Sequence, residues 1–402
     1  MGRGVPVGRK SGRNKNIAAS ENNGIEREIC MKQLFIKPQI YKFDKFQEFA
    51  KEFAVGKGDL IFTHKFIYEP VMKQLNLECD FEFQEQYGMG EPSNTIIDQV
   101  FNVVGQKNYK RIIAVGGGSV IDIAKLLVLK DAKKTIDLFE KRVPLIKDKE
   151  LIIIPTTCGT GSEVTNVSIA EIKEKKTKMG LAIDELYADY AVLIPELVKS
   201  LPYKFFVFSS VDALIHVVES FVSPKSNSFT ELFSVDAMNK IIKGYLAILE
   251  KGQDYRFEIL DDFVVASTYA GIAFGNTGVG AVHALSYPLG GGYHVPHGEA
   301  NYQFFIEVFK TYNRLKPDGK IRKLNKILAT VLNSKDENDV YNDLEKVLSG
   351  LITRKALREY GMKEEEIELF TDSVIETQQR LLVNNYTFLS RDDIMGIYRR
   401  LY

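Results

Sequence analysis

The stretch Arg111-Ile112-Ile113-Ala114-Val115-Gly116-Gly117-Gly118-Ser119-Val120-Ile121-Asp122 decides the fold. Its apolar run, headed by an arginine, reads as a strand. Three glycines follow, and a helical pattern then runs from Ser119 to Lys130. Such a turn lets backbone approach a ligand closely, and the next helix presents free N–H groups and the positive end of its dipole. A pyrophosphate suits that environment. The spacing is neither G-x-G-x-x-G nor the Walker pattern. Taken alone, the turn also describes an ordinary strand-to-helix junction capped by Ser119.

Working outward, further short apolar runs alternate with helical patterns. Asp59–Thr63, Leu151–Ile154 and Ala191–Ile194 read as strands, Leu34-Phe35-Ile36 as a first strand-like stretch, and Ile96–Val104 as a helix. This alternation predicts an open, mostly parallel α/β sheet. After the strand at 151–154 comes Pro155-Thr156-Thr157-Cys158-Gly159-Thr160-Gly161-Ser162-Glu163, rich in hydroxyls and glycines. Ligands of open α/β sheets bind at the carboxyl ends of strands. Two such loops after two strands form a candidate cradle for phosphate or ribose.

Beyond Leu201-Pro202 the texture changes. Phe205–Val222, Met238–Glu250, Phe257–Phe274 and Glu364–Leu382 carry apolar faces at helical spacing. The expected organisation is a disordered leader (1–30), a Rossmann-like α/β domain (31–202) and an all-helical domain (203–402). The leader is rich in Gly, Arg, Lys and Asn and lacks the apolar core of a secretory signal. Across 402 residues, 53 basic side chains balance 53 acidic ones. That balance argues against a nucleic-acid binder. No apolar run reaches the roughly 18 residues needed to span a bilayer. The three cysteines are far apart with no CxxC pair, which argues against a disulfide framework or thiolate zinc and for a reducing cytoplasm.

Of only five histidines, three sit in suggestive places. Asp212 and His216 are spaced i, i+4, which puts them on one helix face about 5–6 Å apart. His283 lies on a helix expected to stop by Pro288, and Gly290-Gly291-Gly292 would let the chain turn back to His297. One aspartate and three histidines suit Fe²⁺ or Zn²⁺. His64 follows a strand end with no acidic or histidine partner nearby in sequence, and is not counted as a ligand.

Together these motifs resemble the iron-containing alcohol dehydrogenase family over about residues 31–402: a GGGS-x-x-D turn (Gly116–Asp122), a PTT-x-GTGSE loop (Pro155–Glu163), a D-A-L-x-H helix (Asp212–His216) and a two-histidine segment (His283, then Pro296-His297-Gly298). The resemblance implies the two-part fold shared with dehydroquinate synthase, and an enzyme moving hydride between NAD and a small alcohol/aldehyde pair. It implies a pyrophosphate site at Gly117, Gly118 and Ser119, with Asp122 capping that turn. Thr156, Thr157 and Thr160 would lie towards the nicotinamide ribose, with Thr165 and Lys178 nearby. Asp212, His216, His283 and His297 would hold the metal, and Phe274 would line the substrate pocket. Thr157–Thr160, Thr165–Ser168 and Ser286–Tyr302 make the chain most similar, within the family, to the group that interconverts 4-hydroxybutyrate and succinate semialdehyde with NAD(H).

Tyr287 stands where many relatives carry a proton-relaying histidine, so Tyr287 or His294 is the candidate relay. Thr63-His64-Lys65 stands where many carry an aspartate that rejects NADP. Asn166, Tyr287 and His294 are candidates to meet a substrate carboxylate. The alternatives are a dehydrogenase of another small primary alcohol or diol using NAD(P), and a dehydroquinate synthase-like lyase. Relatives imply a homo-oligomer, dimer or larger.

Overall fold

A computed structural model describes residues 32–88, 90–175 and 177–402. The expected leader at 1–30 lies outside the described residues. The main sheet contains β1 (Gln39–Lys42), β2 (Asp59–Thr63), β3 (Asp80–Phe83), β4 (Arg111–Gly116), β5 (Glu150–Pro155) and β8 (Tyr190–Leu193), in the order β1-β8-β5-β4-β2-β3. All its pairings are parallel. A hairpin of β6 (Val167–Ile172) and β7 (Thr177–Ala182) stands apart from it. The continuous apolar runs in β4 and β5 make them central strands, buried from Ile112 to Gly116 and from Leu151 to Pro155. Their register pairs Gly116 with Pro155, so the glycine turn and the threonine loop leave neighbouring strands at one level.

Leu34–Ile36 is not a strand. The Asn276 side chain occupies the pairing groups of Phe35, accepting from its N–H at 2.7 Å and donating to its carbonyl at 3.1 Å. The first strand begins at Gln39 instead, as an exposed edge.

Among the described residues five α-helices accompany the strands: α1 (Phe46–Glu52), α2 (Lys65–Ile67), α3 (Asn94–Val104), α4 (Gly118–Leu127) and α5 (Thr135–Phe139). Among the described residues no strand follows Leu193. The chain continues as α6 (Pro195–Val198), α7 (Tyr203–Val222), α8 (Ser228–Lys251), α9 (Leu260–Thr277), α10 (Ala281–Tyr293) and α11 (His297–Leu315). It ends with α12 (Lys320–Leu332), α13 (Val340–Leu351), α14 (Glu366–Thr377), α15 (Gln379–Leu382) and α16 (Arg391–Leu401). Residues 33–402 form one compact unit.

Helix α7 is the axis of the helical part. It is long and apolar enough to cross a membrane by length and composition, but 89% of that window is buried among its neighbours. Phe206 meets Phe263 of α9 edge-on at 4.8 Å, and Tyr245 of α8 donates to Ser210 at 2.9 Å. A helix apolar on all sides is a core helix in such a setting, and the polar residues it carries are held for a reason.

Helix α10 does not stop at Pro288 but runs through it to Tyr293. Proline removes one backbone donor and crowds the preceding turn. The first turns of α10, Ala281 to Ser286, are buried, and that packing holds the helix despite the defect. The reversal expected of the triple glycine falls instead on His294, which takes the left-handed conformation at φ 54°, before Pro296 caps α11.

Candidate metal centre and cofactor cradle

Three helices bring Asp212, His216, His283 and His297 together, with one potential ligand atom from each lying within 4.8 Å of all the others. Asp212 and His216 share a face of α7, His283 lies in the first turn of α10, and His297 opens α11. His283 Nε2 and His297 Nε2 stand 3.8 and 3.9 Å from the Asp212 carboxylate. Gly298 permits this closeness, because a Cβ there would fall 2.6 Å from the Phe208 carbonyl oxygen on α7.

Asp212, His216 and His283 each have an outer partner that aims the side chain as a candidate ligand. His216 Nδ1–H donates to the Gly159 carbonyl at 3.2 Å, which leaves Nε2 with its lone pair. Glu219, one turn beyond His216 on α7, lies 2.6 Å from His283 Nδ1 and accepts from the Val282 N–H at 2.7 Å. Asn301 donates to Asp212 at 2.7 Å, lies 3.1 Å from His297 Nε2, and accepts from Ser286.

Electrostatics follow from burial. Burial drives His216 down to about 3, so its ring is neutral. Burial also opposes the charge of Asp212, but His216, His297, His283 and the Asn301 amide outweigh it and hold the carboxyl below its ordinary range. At His283 the desolvation penalty is overcome by Glu219, and its pKa lies above the usual value. His283 Nε2 is buried with no hydrogen-bond partner. An ionised carboxylate, aimed imidazoles and an orphaned ring nitrogen facing them fit a divalent cation of borderline softness, Fe²⁺ or Zn²⁺.

The cradle is made of backbone. Gly117 takes the cap position of α4 with no side-chain cap, and Ser119 lies in the first turn without capping it. A Cβ on Gly117 would lie 3.4 Å from the Thr157 methyl, and one on Gly118 3.4 Å from the Thr160 methyl. The glycine turn and threonine loop therefore face each other, joined by Thr156 N–H donating to the Gly116 carbonyl at 3.0 Å. Thr157 Oγ1 is buried without a partner. Gly161, at φ 55°, lets the loop press on α9: a Cβ there would meet Gly271 Cα at 2.4 Å. Helix N-terminus, close backbone and unpaired hydroxyl together can receive a dinucleotide.

Comparison with known proteins decides the lineage. Residues 38–195 match the family model described as iron-containing alcohol dehydrogenase, and residues 206–402 match that of the Fe-containing alcohol dehydrogenase family, C-terminal. The chain is 62% identical over 372 residues to 4-hydroxybutyrate dehydrogenase of Clostridium kluyveri, covering 92% of this chain and 100% of that one. The chain belongs to the iron-containing alcohol dehydrogenase family. Its fold is also that of an alcohol dehydrogenase from an archaeal halo-thermophile of a Red Sea brine pool (TM-score 0.80, 21% identity, covering 92% of this chain and 99% of that one). A sulfoacetaldehyde reductase from Bifidobacterium kashiwanohense, solved in complex with NAD⁺, is similar too (TM-score 0.79, 21% identity, covering 92% and 99%).

The remaining expected residues of this family member fall into place unevenly. Phe274 stacks on His216 at 4.2 Å. Tyr287, one turn after His283 on α10, lies 6.4 Å from the His297 ring, and burial raises its phenol above the ordinary value despite the guanidinium of Arg380 beside it. Thr165 Oγ1 accepts from Lys125 at 3.1 Å. Lys178 on β7 pairs with Glu91 and lies 6.0 Å from the Tyr287 ring centre.

Several expected roles change. Asp122 does not cap the glycine turn; its half-buried carboxyl accepts from Ile169 N–H at 3.3 Å and ties α4 to β6. His294 is exposed on the bend after α10 and is not among the four clustered residues. Asn166 reaches Asp184 at 3.4 Å. His64 does have an acidic partner, Glu85 at 2.9 Å, brought from the next strand end. The spacing of Glu219, i+3 from His216 and i+7 from Asp212, is the signal that marks it as a further member of the ligand face. Asn301, i+4 from His297 on α11, carries the same kind of signal, whereas Lys125 carried none, since its partner Ser162 lies 37 positions away.

Proposed function

We propose that this family member interconverts 4-hydroxybutyrate and succinate semialdehyde with NAD(H). The observation that carries the reading is 62% identity along the whole length of a protein that bears that activity in its name. Asp212, His216, His283 and His297 hold the metal, Fe²⁺ or Zn²⁺. Gly117, Gly118, Ser119, Thr156, Thr157, Thr160 and Thr165 receive the dinucleotide, with Asp122 bracing the helix behind them. Residues 31–202 thus serve the cofactor and residues 203–402 the metal. When bound, the ion supplies Lewis acidity at the substrate oxygen and NAD supplies the hydride acceptor.

The chain's own part is positional. The hydrogen bond from His216 to Gly159 fixes the threonine loop against the metal helix, so cofactor and metal are held in one frame. Phe274 covers the His216 ring and keeps water from that side. Tyr287, protonated at neutral pH, takes the relay position beside His297. We also propose a reducing cytoplasm, supported by free Cys79 and Cys158, and a homo-oligomer, supported by exposed Phe229 and Leu232 one turn apart on α8; light scattering on the purified protein tests the latter.

The deciding experiment is NADH oxidation by Fe²⁺-loaded enzyme with succinate semialdehyde beside butyraldehyde. Strong preference for the semialdehyde is expected. Equal or better turnover of butyraldehyde removes the named substrate but keeps the dehydrogenase class. No turnover of either, with metal and NADH bound, favours the lyase alternative.

A further inference from the structure

A second group of polar side chains converges next to the metal cluster on the His297 side. Three elements supply it: Tyr287 from α10, Lys178 from β7 and Arg380 from α15. A Cβ on Gly180 of β7 would lie 3.8 Å from an Arg380 terminal nitrogen, so the guanidinium rests against the glycine two residues along the strand from Lys178. Its other neighbour is the Tyr287 hydroxyl.

The two cations are not equivalent. Lys178 is paired with Glu91 and largely covered, its side chain 15% exposed. Arg380 has no carboxylate at ion-pair distance among the described residues, and it remains exposed. A guanidinium fork is suited to a carboxylate through two parallel N–H···O bonds, and it holds its charge at any working pH. Gly180 offers no side chain to block the approach along β7.

We propose that Arg380 receives the carboxylate of a short ω-hydroxy acid whose hydroxyl lies at the Asp212–His297 cluster, with Tyr287 steadying the guanidinium between them. The assignment rests on the proposed substrate and adds to it the residue that distinguishes a hydroxy acid from a plain alcohol of equal length. Lys178, neutralised by Glu91, frames the site and does not make the charge contact.

The test uses the full-length, Fe²⁺-loaded enzyme and compares kcat/KM for succinate semialdehyde with that for butyraldehyde. In Arg380→Met the ratio of the two should fall roughly 10- to 100-fold, mainly through KM for the semialdehyde, which is the size expected when one charge-assisted hydrogen-bonded contact is removed. Calorimetric binding of 4-hydroxybutyrate should weaken by a similar factor. Arg380→Lys should restore part of the ratio, because it returns the charge without the fork. Metal content and thermal midpoint, measured alongside, separate this from misfolding. A wild-type enzyme that shows no preference for the semialdehyde overturns the substrate reading and this proposal with it. A wild-type preference that survives in Arg380→Met, or one that is lost in Lys178→Met instead, overturns the assignment of Arg380 alone.

Discussion

The metal cluster and the glycine cradle touch through one hydrogen bond, His216 to the Gly159 carbonyl, yet they are built on opposite plans. In the cluster, side chains would do the holding: the four candidate ligands are buried or half-buried, and Asn301, a carbonyl and Glu219 aim Asp212, His216 and His283. In the cradle, the backbone does the holding, and its key positions have no side chain or a small one. The cluster should therefore fail when a side chain is taken away, and the cradle when one is added.

Asp212→Ala is the severest way to break the comparison. It removes the only carboxylate among the four clustered residues and leaves three histidines to face a cation without an anionic ligand. Lewis-acid stabilisation is worth several kcal/mol, so turnover should drop by at least about 100-fold, and metal analysis after gel filtration should find the ion gone. Wild-type turnover in a metal-free Asp212→Ala enzyme would remove the cluster from the reaction altogether.

Glu219→Gln asks whether the outer partner matters as a charge. Glutamine keeps the shape and can still accept from the Val282 N–H, but it no longer presents a carboxylate to His283 Nδ1. Loss of such a partner typically weakens metal affinity about 10- to 100-fold, readable as faster metal loss to a chelator at unchanged thermal midpoint of the metal-loaded form. Unchanged chelator kinetics would reduce Glu219 to a packing residue.

These two residues also mark how far the sequence could be read. Asp212, His216, His283 and His297 were legible because histidine is scarce here and their helical spacing is diagnostic. The sheet was legible because β4 and β5 are unbroken apolar runs. What lay hidden depends on long-range contact: Lys125 meets Ser162 from 37 positions away, and Glu85 meets His64 from the neighbouring strand end. The stop expected at Pro288 failed for a related reason. Local chemistry argued for a break, and tertiary packing of Ala281–Ser286 held the helix through it. The placement of Phe35 beside Asn276 is another case in which a distant side chain overrode a local strand pattern.

The cradle yields a milder pair of substitutions. In Gly117→Ala the new methyl meets only the Thr157 side chain, its methyl at 3.4 Å and its hydroxyl at 3.9 Å, so folding should be little affected, while the close approach to pyrophosphate is obstructed. KM for NADH should rise by about tenfold, an effect of ~1.4 kcal/mol, with kcat nearly constant. Gly161→Ala should behave oppositely. Its φ of 55° and the 2.4 Å approach to Gly271 make the methyl a structural insult of about 1–3 kcal/mol, seen as a lower melting temperature. If both variants lowered stability alike and left KM untouched, the glycine turn would be a folding device and not a cofactor site.

The smallest expected effect is that of His294→Asn, read beside Tyr287→Phe, which removes the other candidate relay. His294 sits in the left-handed region at φ 54°, exposed on the bend between α10 and α11. Asparagine tolerates that conformation better than most residues, so His294→Asn preserves the bend while removing the imidazole. Tyr287 lies 6.4 Å from the His297 ring with its phenol protonated, and Tyr287→Phe removes only the hydroxyl. A positioned proton donor contributes about 10²- to 10⁴-fold, and that loss is expected in Tyr287→Phe, whereas His294→Asn should stay within about twofold of the parent. The reverse outcome would mean that the bend closes over the substrate during turnover and carries the relay in on His294. The exposed corner of the helical half would then belong to the reacting site, and the division between a buried cluster and an open surface would no longer hold.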